Sequence, residues 1–113
     1  MVVKQAQAVA PTLNAFIDSE MAKASVGAEN TALVGFSQGT MMSLYVAPRR
    51  DAEFAAVVGY SGRLLAPELL AMEAVSKPPI MSIHGEMKRH LQELSLRLYL
   101  KFYYFFLHTF LIL

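Results

Sequence analysis

Gly35-Phe36-Ser37-Gln38-Gly39 sets one serine between two glycines at G-x-S-x-G spacing, the pattern of a nucleophile elbow in which a strand runs into a helix through a tight turn. A serine hydroxyl is a weak nucleophile. It must project from such a turn so that a base can take its proton while a carbonyl approaches. Gly35 and Gly39 leave room for the turn, and a helix beginning there would place its free N–H groups and positive dipole end beside a forming oxyanion. The backbone N–H of Gln38 is one natural donor. With Gly and Ser each about 7% of residues, a chance match somewhere in a chain of this length has a probability of only ~4%. The competing reading, a serine in an ordinary strand-to-helix turn, asks for no chemistry and stays open at this point.

The flanking residues supply what an elbow needs. Asn30 to Gly35 is a short apolar run of strand formers, the pattern of a buried parallel strand. Thr40 to Ala47 is apolar on most faces and stops before Pro48, where the residue preceding proline is pushed out of the α region. Upstream, Val3, Ala6, Ala10, Leu13, Phe16, Ile17 and Met21 recur at helical spacing over residues 2–24, with Pro11 expected to kink the helix or mark the start of its firm part. Gly27 is expected to end the turn after it. Downstream, Phe54 to Tyr60 reads as a second buried strand. Pro67 to Val75 reads as a helix with Leu69, Leu70, Met72 and Val75 facing inward, and Ile80 to His84 as a third strand. Helix and strand alternating in this way predict an α/β fold of about three parallel strands with flanking helices.

At 113 residues the chain has room for one domain. Fifty-five per cent of it is hydrophobic and 17% charged, and it has no cysteine, which removes disulfides, zinc-cysteine sites and a thiol nucleophile together and fits a cytoplasmic setting. Lys4, Gln5 and Gln7 interrupt any secretory apolar region. The formal net charge of +1 is scattered, so nucleic acid is not an expected partner. His84, His90 and His108 show no metal-ligand spacing, and no metal site is expected.

Composition changes at Lys88. Residues 1–87 hold six basic and eight acidic side chains, residues 88–113 four basic and one acidic, and seven of the twelve Phe and Tyr residues fall between Tyr99 and Phe110. The expected organisation is a partial domain over 1–87 and an apolar aromatic tail over 88–113, helical or unstructured. The tail's Phe, Tyr, Leu, Ile and Lys content is what out-of-frame reading of an AT-rich gene gives, so a frameshift near codon 88 is the expectation. The alternative is a membrane anchor. Leu98 to Leu113 is 16 residues interrupted by Lys101 and His108, whereas a spanning helix wants ~20 mostly apolar ones.

Residues 2 to about 87 resemble the carboxylesterase and phospholipase family of α/β-hydrolases, the group that includes acyl-protein thioesterases. GFSQGTMMSLYVA, the strand-and-loop VVGYSGRLL at residues 57–65 and PPIMSIHGE at residues 78–86 carry the resemblance. It implies a partial α/β-hydrolase fold and hydrolysis of small-molecule carboxylic esters or thioesters without a cofactor, through an acyl-enzyme. Ser37 matches the nucleophile, Gln38 the oxyanion-hole residue, and Gly35, Phe36 and Gly39 the rest of the elbow. Tyr60, Ser61 and Gly62 match the strand end beside the cleft, where Tyr60 and Ser61 line a pocket or simply form a loop.

The departures bear on activity. The family's catalytic aspartate, three residues after the His-Gly pair, corresponds to Lys88, and a cation there would repel the imidazolium that an aspartate stabilises. Glu86 sits at the wrong step of that loop. None of His84, His90 and His108 matches the family's catalytic histidine, and no His-Gly-x-Gly-type loop supplies a second oxyanion donor. Three functions follow: an impaired serine hydrolase, a non-catalytic remnant of one, or a small tail-anchored interaction protein whose tail contacts membrane.

Overall fold

The computed structural model describes residues 1–83 and 109–113. Helix α1 (Val3–Ala24) leads through a 3-10 turn (Ala28–Asn30) into strand β1 (Thr31–Phe36). Helix α2 (Gln38–Val46) and a second 3-10 turn (Ala47–Arg49) precede β2 (Ala56–Tyr60). Helix α3 (Pro67–Glu73), β3 (Ile80–Ile83) and β4 (Thr109–Ile112) complete the order. The sheet runs β3-β2-β1-β4, and every pair of neighbours is parallel.

Period-two alternation decides what β1 and β2 bury. Leu33 stands opposite Val57 and Ala32 opposite Ala56, so the two pairs lie on opposite faces of the sheet. Leu33 and Val57 join Ala6 and Ile17 of α1, Leu44 and Val46 of α2, and Phe54 in one core. Ala32 and Ala56 form a smaller cluster with Ala55. Full burial of a Leu or Phe side chain contributes roughly 1.5–3 kcal/mol, so the helix-facing side of β1 and β2 holds most of the apolar stabilisation.

Several expectations need correction. Helix α1 runs unbroken from Val3 to Ala24 with Pro11 inside it; the missing N–H removes one bond without ending the helix. The helix itself ends at Ser25 in the left-handed region, and Gly27, at φ −94°, lies between that turn and the 3-10 turn it precedes. The expected inward face of α3 is not buried. Met72 is 81% exposed and Val75 59% exposed, while Leu69 and Leu70 are half-buried, because the neighbour that α3 meets is the turn around Arg49 and not the sheet. The end of the tail is a strand and not a helix or unstructured run: Thr109–Ile112 pairs with Thr31 to Val34. The outer edge of β1 is therefore occupied. Residues 84–108, where the rest of the expected tail helix falls, lie outside the described residues.

Two arginines fasten the helices to the turn after α2. Arg49 donates from Nε to Glu73 of α3 at 2.6 Å and from Nη1 to the Tyr45 carbonyl at 2.9 Å, with its guanidinium 3.9 Å from the Tyr45 ring centroid. Arg50 bonds Asn14 at 2.9 Å, pairs with Asp18, both on α1, and lies 5.2 Å from the Phe54 ring centroid. Removing a half-buried clamp of this kind costs more than removing an exposed pair. Arg50→Ala is expected to destabilise by roughly 1–2 kcal/mol and to lower Tm by roughly 5 °C or more, read by thermal circular dichroism. Lys23→Ala, which breaks only an exposed contact with Glu20, should change stability by less than about 0.5 kcal/mol.

Candidate active site

Strand β1 ends at Phe36 and helix α2 begins at Gln38, so Ser37 is the single residue joining them. Its backbone lies at φ 55°, ψ −111°. A positive φ is uncommon for any residue with a Cβ, and a residue held in such a region costs of order 1–3 kcal/mol. The turn is thus tighter than an L residue prefers. Ser37 makes no side-chain cap bond to the helix it precedes, although serine is a favoured cap. Its side chain is exposed, as are Phe36 and Gln38.

The first helical bond of α2 runs from the Met41 N–H to the Ser37 carbonyl at 3.1 Å. The N–H groups of Gln38, Gly39 and Thr40 therefore have no acceptor within the helix. They stand at the positive end of the helix dipole, immediately after the exposed hydroxyl. That arrangement suits stabilisation of negative charge developing on an oxygen beside Ser37.

The turn is closed against its neighbours by backbone contacts. A Cβ on Gly35 would lie 2.5 Å from the Thr40 nitrogen and 2.6 Å from the Gly39 carbonyl carbon and oxygen, so strand and helix meet here only because Gly35 has no side chain. A Cβ on Gly39 would collide with the carbonyl of Leu113. Leu113 sits there because its N–H donates to the Val34 carbonyl at 2.6 Å and its carbonyl accepts from the Phe36 N–H at 3.2 Å. On the other side, the Ser37 N–H donates to the Tyr60 carbonyl at 2.8 Å.

Tyr60 and Ser61 lie at the end of β2 beside the elbow. Tyr60 stands in register with Phe36 and is half-buried, whereas Ser61 is exposed with φ 44° and donates its N–H to the Ile83 carbonyl at 2.9 Å. Gly62, at φ 140°, comes so close to the turn that a Cβ there would be 2.9 Å from the Ser37 carbonyl oxygen. The elbow residues Gly35 to Gly39 and the strand-end residues Tyr60 and Ser61 are thus brought together. Glu86, Lys88 and the three histidines fall in residues 84–108, outside the described residues.

Thr40 was not singled out by sequence reasoning, which treated it as one more helical residue. It is fully buried, and its hydroxyl donates to the Tyr60 carbonyl at 2.7 Å. A hydroxyl in the first turn of the helix, with glycines at the end of each neighbouring strand, was the available signal.

A shallow groove of about 350 Å³ lies between the start of α1 and the loop before α3, lined by Val2, Val3, Arg63, Leu64 and Glu68 among others. None of the elbow residues lines it. No helix among the described residues is long and apolar enough to cross a membrane.

A phospholipase/carboxylesterase family model matches residues 3–105, a stretch that runs past Lys88. The crystal structure of esterase PE8 superposes with a TM-score of 0.69 at 32% sequence identity, over 96% of this chain and 51% of that one. The chain therefore spans about half the length of that esterase.

Proposed function

Because this chain belongs to the phospholipase/carboxylesterase family, whose α/β-hydrolase fold it carries in part, we propose that Ser37 is the acyl-accepting nucleophile of a carboxylic ester or thioester hydrolase. The Ser37 hydroxyl oxygen attacks the substrate carbonyl carbon and gives up its proton. The alcohol or thiol leaves with a proton, and water then releases the acid from the acyl-enzyme. The Gln38 N–H, at the free end of α2, stabilises the oxyanion. Tyr60 and Ser61 border the cleft that receives a small-molecule ester. The supporting observation is the backbone of Ser37: a strained positive φ at a strand–helix junction, with the hydroxyl exposed and not used as a cap.

The chain by itself is a slow catalyst on this reading. Lys88 stands where the family places the acid that holds its histidine, and a cation there repels the imidazolium that an acid stabilises. A fluorophosphonate probe tests the assignment without requiring turnover. Slow labelling that Ser37→Ala abolishes is the expected result. Labelling unchanged in Ser37→Ala refutes the nucleophile, while labelling at the rate of an intact serine hydrolase refutes the impairment. No labelling of the unsubstituted chain would favour the second reading, a non-catalytic remnant, for which Lys88 is the motivating residue.

A further inference from the structure

We propose that Thr40 is the positioning residue of the elbow: its hydroxyl anchors the first turn of α2 to the end of β2 and so holds Ser37 in the backbone conformation from which its side chain projects. The inference rests on the reading of Ser37 as nucleophile for its functional meaning, and on geometry alone for the anchor.

The Tyr60 carbonyl is the shared anchor point. It accepts the Ser37 N–H at 2.8 Å and the Thr40 hydroxyl at 2.7 Å, so its two lone pairs fix the turn residue and the residue three positions beyond it to one atom of β2. Ordinary helical behaviour does not account for this. A buried Ser or Thr inside a helix bonds back to the carbonyl four residues earlier, as Ser43 does to Gly39 at 2.7 Å. Thr40 instead reaches across 20 positions of sequence.

The glycines around it are consistent with a fitted socket. A Cβ on Gly59 would collide with the Thr40 methyl, and one on Gly62 would lie 2.9 Å from the Thr40 Cβ. Gly59 and Gly62 thus make room for the Thr40 side chain, and Gly35 for its backbone nitrogen. A strained residue such as Ser37 persists only where its surroundings over-determine it. Two bonds to a single carbonyl do so, and one of them belongs to Thr40.

The test compares Thr40→Val, which keeps the shape and loses the hydroxyl, with Thr40→Ser, which keeps the hydroxyl and loses the methyl. Fluorophosphonate labelling of Ser37, hydrogen exchange of the Ser37 amide by NMR, and Tm are measured on the full chain. Thr40→Val should exchange the Ser37 amide faster and label Ser37 more slowly, each by roughly 5- to 10-fold, the scale of one net hydrogen bond. Its Tm should stay within a few degrees, and Thr40→Ser should restore both rates. Unchanged Ser37 exchange in Thr40→Val, or equal impairment in both variants, overturns the proposal. If the unsubstituted chain is not labelled but Thr40→Val still speeds exchange, the nucleophile reading fails and the anchor stands. If labelling is normal and exchange unmoved, the anchor fails alone. Should Thr40→Val not fold, Thr40→Ser decides: wild-type exchange at Ser37 supports the anchor and accelerated exchange overturns it.

Discussion

Gly35→Ala should destabilise the chain by about 3 kcal/mol, near the upper end for overpacking a well-fitted site. The added methyl would sit 2.5 Å from the Thr40 nitrogen and 2.6 Å from the Gly39 carbonyl atoms. All of these are backbone atoms of the first turn of α2, while Gly35 is held in β1, so relief requires strand and helix to separate. That movement would also take the Ser37 N–H away from Tyr60, and labelling at Ser37 should be lost along with stability. Gly27→Ala provides the comparison. The atoms nearest its methyl belong to the exposed Glu29 side chain, which is free to swing aside, and its φ of −94° suits any residue. Because alanine restricts the unfolded chain, Gly27→Ala should be neutral or stabilising by up to about 1 kcal/mol. Equilibrium urea unfolding of both variants separates the outcomes; equal midpoints would show that the close approach at Gly35 is not maintained in solution.

The contrast between these glycines marks what the sequence could and could not disclose. Strand, turn and helix around Ser37 were legible to within a residue or two, because the apolar run, the two glycines and the proline at 48 act over short range. The expected strand at 30–35 and the observed one at 31–36 differ only by fraying. Facing directions were less legible. Periodicity suggested that α3 is amphipathic, but an apolar stripe does not name its partner: among the described residues α3 packs chiefly on the turn around Arg49, and Met72 is exposed. The role of Thr40 depends on a carbonyl 20 positions away, and the strand at Thr109–Ile112 on a pairing with Thr31 to Val34. Neither partner is named by the residues next to it in sequence. Lys88 at the position expected of an acid is a reading of residue type alone, and residue 88 lies outside the described residues.

The pairing of β4 carries the second large expected effect. Deleting residues 109–113 should remove the Leu113 N–H from Val34 and its carbonyl from Phe36, together with the ladder along Thr31 to Val34. Two backbone bonds at about 1 kcal/mol each, with the rest of that ladder, put the loss on the order of 3 kcal/mol. Beyond the loss of stability, β1 would become an open parallel edge in the middle of the apolar core, and exposed edges of this kind recruit other strands. The shortened chain is therefore expected to unfold at lower urea and to scatter light at concentrations where the full chain does not. A double substitution, Leu111→Pro with Leu113→Pro, tests the same contact without shortening the chain, because proline has no N–H to donate to a ladder. If the deletion and the proline variant both leave the urea midpoint and the scattering unchanged, β4 does not hold the edge of β1. If both shift together, the elbow stands between two paired strands, and its Ser37 N–H and Phe36 N–H are fixed from opposite sides.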